Sequence, residues 1–242
     1  MKLLSVIFIS FIFPFLAFAQ EPKDTEDWSR KPEIVNIGKN NEPPSDAIVL
    51  FDKEDMSKWE GVKGVTGWKA NGDFFTVEPK TGDIKTIQKF GDIQLHIEWR
   101  TPKKVKGKGQ GRGNSGIFLQ ERYEVQVLDS YDNETYYNGQ AGSIYKQSIP
   151  LVNVCKPNGE WQSYDIIFIA PRFNENGELK SPGYLTVFQN GILIQYHVEL
   201  KGSTEYIGTP SYKVHDLKES IRLQDHGNPV SYRNIWVREL NL

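Results

Sequence analysis

Glu124 and His226 are the side chains whose type and setting best suit proton transfer. Glu124 is followed two residues on by Gln126 within Tyr123–Leu128, a run with strand-like alternation. His226 follows Gln224 by two residues and precedes the turn-forming Gly227-Asn228-Pro229. An imidazole at such a strand-to-loop corner is ordered yet accessible, and its pKa moves readily across neutrality. A carboxylate on the polar face of a neighbouring strand is its natural counterpart as base or acid. Each has a second role open to it: Glu124 as base or metal ligand, His226 as base, metal ligand or structural hydrogen-bonding group. Asp129 and Asp225 either bind an ion or tie turns through Asx bonds, and the turn role is the expectation for Asp225. Glu124, Asp129 and His226 form the trio that would hold one divalent ion from separate strands. Neither H-E-x-x-H nor clustered Cys and His spacing is present, which argues against a zinc site legible in sequence. His96 and His197 lie within strands and read as structural; His215 sits in a loop with no partner motif.

The elements that must position these groups are strands. Strand-like runs follow one another at Ala47–Phe51, Phe74–Val77, Ile93–Arg100, Gly116–Gln120, Tyr123–Leu128, Tyr164–Ala170, Tyr184–Gln189, Ile192–Leu200, Ile221–Gln224 and Ile235–Leu240. Asn190-Gly191 between two of them is a type I′ hairpin signal, because both positions need positive φ. Asn71-Gly72 and Asn158-Gly159 mark other turns. Helical periodicity is confined to one short turn expected over Asp52–Trp59. In Ile93–Arg100 the residues Ile93, Leu95, Ile97 and Trp99 alternate with Gln94, His96, Glu98 and Arg100, so one face enters a core and the other is polar. Val125 and Val127 alternate with Glu124 and Gln126 in the same way. Such a polar face is either solvated or the floor of a binding groove. Many short strands with little helix predict an all-β sandwich or barrel.

The chain of 242 residues, net charge -2 and 12% aromatic content is long enough for one large sandwich. A near-neutral balance argues against nucleic acid or an anionic membrane surface as partner. The aromatics suit both strands and the apolar face of a sugar ring. At the N-terminus, Lys2, an apolar run over Leu3–Phe18 and Ala17-Phe18-Ala19 form a cleavable export-signal pattern over residues 1–19. Export to a periplasm or to the medium is therefore expected. No second long apolar stretch follows, so no membrane span is expected in the mature form. Residues 20–45 hold Pro22, Pro32, Pro43 and Pro44 and read as a polar linker, with the domain over 46–242. Cys155 is the single cysteine, so no intrachain disulfide forms, and its apolar neighbours suggest a passive thiol.

Several segments, in order, resemble the 3-keto-disaccharide hydrolase family. They are Leu50-Phe51-Asp52 with Trp59, Glu98-Trp99-Arg100, Asn114-Ser115-Gly116-Ile117, and Tyr123-Glu124-Val125-Gln126-Val127-Leu128-Asp129-Ser130. Gly142-Ser143-Ile144-Tyr145, Pro150, Glu160-Trp161-Gln162-Ser163-Tyr164-Asp165, Leu223-Gln224-Asp225-His226-Gly227-Asn228-Pro229-Val230 and Arg233-Asn234-Ile235-Trp236 complete the series. Together they span about Asp46 to Leu240. A small departure is Ala141, where the family often carries Cys or Gly. The resemblance implies a concanavalin-A-like jelly-roll β-sandwich of two curved antiparallel sheets with a groove on the concave side. It also implies a carbohydrate substrate, a glycoside whose C3 hydroxyl has been oxidised to a ketone.

A C3 ketone acidifies the C2 proton; a base removes it and the enolate expels the C1 substituent. That chemistry needs a base near C2 and an electrophile near the keto oxygen. Glu124 and His226 are the catalytic candidates, with Arg100, Asn114, Gln126 and Gln224 as substrate contacts. Arg100 has the alternative of pairing with Glu98, and Asn114-Ser115-Gly116 that of a tight turn. The only cofactor expected is a single divalent ion. The Gly-rich basic stretch Lys103–Gly113 lacks the G-K-[ST] ending of a phosphate loop and reads as a solvated loop or a cover over the groove. Two rivals remain. One is a two-carboxylate glucanase using Glu124 and Asp129, for which Gln126 replaces the middle acid; the other is a noncatalytic carbohydrate-binding module.

Overall fold

The computed structural model describes residues 21–39, 42–64 and 66–242. The export-signal segment lies outside the described residues. By contacts the chain forms two units, Met1–Ile34 and Val35–Leu242. Among its described residues the first shows a single 3-10 turn, Pro22–Thr25. The second takes in Val35–Ser45 ahead of the domain expected from Asp46. Its opening segment is closed on itself by bonds between Asn36 and Ser45, with Ser45 N donating to the Asn36 carbonyl at 2.9 Å.

Fifteen strands follow: β1 Ile48–Phe51, β2 Trp59–Gly61, β3 Lys69–Asn71, β4 Phe74–Thr76, β5 Ile84–Thr86, β6 Ile93–Arg100, β7 Ser115–Leu119, β8 Tyr123–Val127, β9 Gln162–Ile169, β10 Arg172–Phe173, β11 Leu179–Ser181, β12 Tyr184–Gln189, β13 Ile192–Glu199, β14 Arg222–Leu223 and β15 Ser231–Glu239. The described residues contain no α-helix. One sheet of eight strands runs β13-β12-β9-β6-β15-β4-β3, with β1 also paired to β15; a second of five runs β2-β5-β14-β7-β8. All the pairings are antiparallel. The all-β architecture expected from the strand pattern is found, as are the two antiparallel sheets that the family resemblance implied, with β10 and β11 forming a separate two-stranded ribbon.

Alternation explains how the sheets pack. Ile93, Leu95, Ile97 and Trp99 of β6 are fully buried, as are Tyr123, Val125 and Val127 of β8, and all seven belong to one hydrophobic core. Burying apolar surface at about 25 cal/mol per Å² is the main force that clamps the sheets. Asn190 and Gly191, at φ 52° and 79°, make the tight β12–β13 hairpin.

Two local expectations are corrected. Asp52–Trp59 forms no helical turn, because Lys53 and Glu54 take left-handed φ of 50° and 62° and Trp59 enters β2. The last long strand starts at Ser231, four residues before Ile235. Asn234, at φ 44°, interrupts its alternation, and the register with β6 shifts between Arg233 and Trp236.

Candidate active site

The site stands on the face of the five-stranded sheet that turns away from the core. β8 aims Glu124 and Gln126 to that face, and β7 places Phe118 and Gly116 opposite them. β14 then delivers Gln224, whose N–H donates to the Gly116 carbonyl at 3.0 Å and whose own carbonyl accepts the Ser115 hydroxyl at 2.6 Å. Asp225 ties the turn that carries His226: its carboxylate accepts the Gly227 N–H at 2.9 Å and the Gly82 N–H at 3.0 Å. The turn role expected for Asp225 is the one found.

The free edge of β8 is covered by residues 142–145. Gly142 and Ser143 bond to Gln126, and Tyr145 N donates to the Glu124 carbonyl at 3.2 Å. This pairing sets Tyr145 beside Glu124. Along the same edge Thr204 accepts the Glu124 N–H at 3.0 Å. Together these groups enclose a cavity of about 220 Å³ lined by Asn114, Phe118, Glu124, Gln126, Tyr145, Thr204, Tyr206, Gln224 and His226. It continues through Asn114, Tyr145, Tyr206 and His226 into a second cavity of about 450 Å³ that adds Gln110, Tyr136 and Lys146.

Glu124 is the only carboxylate lining either cavity. It is 4% exposed, and its side chain makes no hydrogen bond to a described residue. Burial pushes its pKa up to about 8; Arg222 opposes the rise and Asp83 adds to it. Gly116 is required beside it, since a Cβ there would lie 2.6 Å from the Glu124 carboxylate oxygen. Gln126 donates Nε2 to Gln110 Oε1 at 3.1 Å, but its own Oε1 is buried without a partner. A buried acceptor left open is costly, and a donor from a bound molecule would satisfy it. Gln110 is itself clamped by Thr135 and the Gly139 carbonyl at 2.9 and 2.7 Å, and Asn114 donates to its carbonyl at 2.7 Å. His226 is solvent-exposed, with an unbonded ring, where the two cavities meet.

Aromatic rings wall the cleft. Tyr136 and Tyr145 share a 2.6 Å bond between hydroxyls, and Lys146 Nζ lies 4.4 Å from the Tyr206 ring centroid. Burial pushes the Tyr145 phenol up and keeps it protonated, hence a donor, across the working range. Tyr136, Lys146, Thr204, Tyr206 and Gln110 were not singled out from sequence. They sit on long loops without periodicity, and only the Gly142–Tyr145 motif pointed to this wall.

Two candidates do not join the others. Arg100 lies on the outer face of the eight-stranded sheet, 4.5 Å from the centroids of both Phe74 and Trp161. Its expected pairing with Glu98 is also absent, because Glu98 is taken by Arg233 at 2.6 Å and Asn234 at 3.0 Å. Asp129 is held by Arg112 Nε at 2.6 Å and by Asn158, outside the cleft. The expected trio of Glu124, Asp129 and His226 therefore does not converge. Among the described residues no group of three or more His, Cys, Asp or Glu is placed to hold a metal. Glu124 and Asp129 likewise do not face one substrate, so the two-carboxylate glucanase arrangement is not formed. His215, without a partner motif in sequence, bonds Tyr123 OH at 2.8 Å. Cys155 is partly buried, and that burial pushes its thiol up to about 11, in keeping with a passive role.

Residues 46–238 match the 3-keto-alpha-glucoside-1,2-lyase-like domain, and the chain belongs to that family. A 3-keto-disaccharide hydrolase of Bacteroides thetaiotaomicron is 24% identical over 226 residues, covering 76% of this chain and 71% of its own length. A crystal structure from Parabacteroides distasonis, of a candidate glycosyl hydrolase, superposes with TM-score 0.87 at 51% identity, covering 91% of this chain and 97% of that one. A second from the same organism, at TM-score 0.58 and 17% identity over 86% of this chain and 100% of its own, shares the fold.

Proposed function

We propose that this protein cleaves 3-keto-glycosides by removing the C2 proton with Glu124 and protonating the leaving oxygen with His226. The observation that carries the reading is Glu124 itself: one carboxyl, buried and unbonded, with its pKa pushed up to about 8 in a cavity of amides and aromatic rings. A base of that pKa suits an acidified C–H near neutral pH. The C2–H electron pair becomes the enolate, whose collapse breaks the C1–O bond. The proton from His226 goes to the departing oxygen, and water adding at C1 while C2 regains a proton completes hydrolysis. The open Gln126 Oε1 accepts a sugar hydroxyl, and Gln224 and Asn114 contribute polar contacts. Lys146 and the Tyr145 hydroxyl are the donors placed to meet a developing negative charge. A conventional glucanase pair is disfavoured by the single carboxylate in the cleft.

The test is C2–H exchange of a 3-keto-glucoside in heavy water together with release of the aglycone. Glu124→Gln loses both, by about a thousandfold or more, as removal of an essential base does. His226→Ala keeps exchange and slows release. For the wild type, kcat/KM rises with pH through about 8 as Glu124 ionises. Turnover of the unoxidised glucoside at an equal rate overturns the reading, and binding without exchange or release makes the protein a carbohydrate-binding module. The same assay with and without chelator reads any dependence on a divalent ion, of which Glu124 and His226 would supply two ligands. The export proposal, from the N-terminal apolar run, is read by cell fractionation and by the N-terminal sequence of the mature protein.

A further inference from the structure

The segment from Lys103 to Arg112 holds Lys103, Lys104, Lys106, Lys108 and Arg112 and no acid, in a chain whose net charge is -2. So local an excess of one charge calls for a counterpart. The C-terminal half of the segment is fixed. Gly109 N donates to Asn133 Oδ1 and Gly113 N to Asn228 Oδ1, each at 2.8 Å. Arg112 is consumed in that anchoring: it bonds Asp129 and the carbonyls of Tyr131 and Asp132. Lys104 and Lys106 bond to no described residue, and both line a cavity of about 540 Å³ that Gly227, Asn228 and Pro229 also line; the one carboxylate on it, Asp129, is paired with Arg112.

This cavity borders the reaction cleft. Gly111 lines both it and the outer part of the cleft, and His226, on the cleft wall, is joined to Gly227 on the cavity wall. A group leaving C1 next to His226 therefore extends toward Lys104 and Lys106. We propose that this cavity is a subsite for an anionic sugar residue, carrying a carboxylate or a sulfate ester, on the aglycone side of the bond that is cleaved. Lysine suits such a role, since an ammonium is a compact charge that meets carboxylate or sulfate without fixed geometry. The aglycone assignment rests on the proposed reaction; the anion site does not.

Two measurements separate them. Calorimetry with a glucuronate-containing disaccharide, its 6-sulfated glucose counterpart and the neutral glucose disaccharide reads the site alone. The wild type binds one or both anionic probes more tightly than the neutral one, and the arm that binds tighter distinguishes carboxylate from sulfate. Lys104→Glu/Lys106→Glu weakens that binding about tenfold or more, as reversal of complementary charge does. Raising NaCl from about 0.1 to about 1 M weakens it too, since screening then acts over about 3 Å. The second measurement is turnover of the matching 3-keto-glycosides, in which the double variant loses its preference for the anionic aglycone. An unchanged melting temperature shows that the variant folds. Equal affinity for charged and neutral probes overturns the proposal. So does an oligonucleotide of equal charge binding as tightly, which marks an unspecific basic surface. Charge-dependent binding without any turnover removes the reaction and leaves the anion site; turnover with a preference indifferent to charge reversal removes the anion site and leaves the reaction.

Discussion

Glu124 shows how a residue that is costly to the fold can be the one the proposed reaction needs. Its pKa is about 4.5 free and about 8 in the cavity, so the folded state holds its proton more tightly than the unfolded chain does. For an acid raised in this way the fold loses no stability below about pH 4.5 and loses it progressively as pH climbs to 8. Glu124→Gln keeps the shape and removes the charge. The variant therefore unfolds near the wild-type temperature at pH 4.5 and is the more stable by about 4 kcal/mol at pH 8, while exchange at C2 is lost. Chemical denaturation at the two pH values measures this. A difference between wild type and variant that is the same at both pH values would show the carboxyl to be hydrated and its pKa unshifted. The sequence made Glu124 and His226 legible because their strand and corner have clear patterns. It misplaced Arg100 and Asp129 because alternation tells which face a residue takes, not which of two sheets that face belongs to or which cation will claim a carboxylate.

At the scale of elements, the face that carries Glu124 depends on a close approach between β7 and β8. Gly116 lies opposite Gln126, and the missing Cβ leaves room for the Glu124 carboxylate. Gly116→Ala puts a methyl 2.6 Å from that oxygen and 2.8 Å from the Phe118 ring. The backbone there is an ordinary strand, so the fold survives with a loss of about 1–3 kcal/mol, typical of overpacking. The carboxylate must turn away, and kcat/KM falls at least tenfold with a shifted pH limb. A variant with wild-type kinetics and pH limb would show that the carboxylate has room to move. The same elements explain what could be read from sequence. β6, β8, β9, β12 and β13 are long enough for alternation to show. β2, β3 and β5 have three residues each, too few for a period of two to stand out from chance. The wall of Tyr136, Lys146 and Tyr206 comes from loops whose path is set by tertiary contacts, among them Gln147 Nε2 to the Gly202 carbonyl at 3.1 Å.

Across the whole molecule, the two sheets treat ionisable groups in opposite ways. The five-stranded sheet buries an unpaired carboxyl. The outer face of the eight-stranded sheet carries a satisfied network across β9, β6 and β15: Asp165 bonds His96 Nδ1 at 2.7 Å, Glu98 lies 3.9 Å from Nε2, and Arg233 bonds Glu98. Burial works against the charged imidazole, yet the bonds to Asp165 and Glu98 outweigh it and hold its pKa up at about 9; Glu98, with His96, Asn234 and Arg233 overcoming its own burial, is held down at about 2. The signs fix the window. A histidine raised on folding contributes fully below its unfolded value of 6.5, and the contribution is lost as pH rises to 9. A glutamate lowered on folding contributes above 4.5 and is lost as pH falls toward 2. The network is thus strongest between about pH 4.5 and 6.5. Glu124 also titrates across the alkaline range, so the clean experiment uses the Glu124→Gln background. There stability falls by on the order of 2 kcal/mol between pH 6.5 and 9, and adding His96→Gln flattens that slope while lowering stability at pH 6. A slope that persists without His96 would place its origin elsewhere and reduce this network to a surface ornament of the sheet.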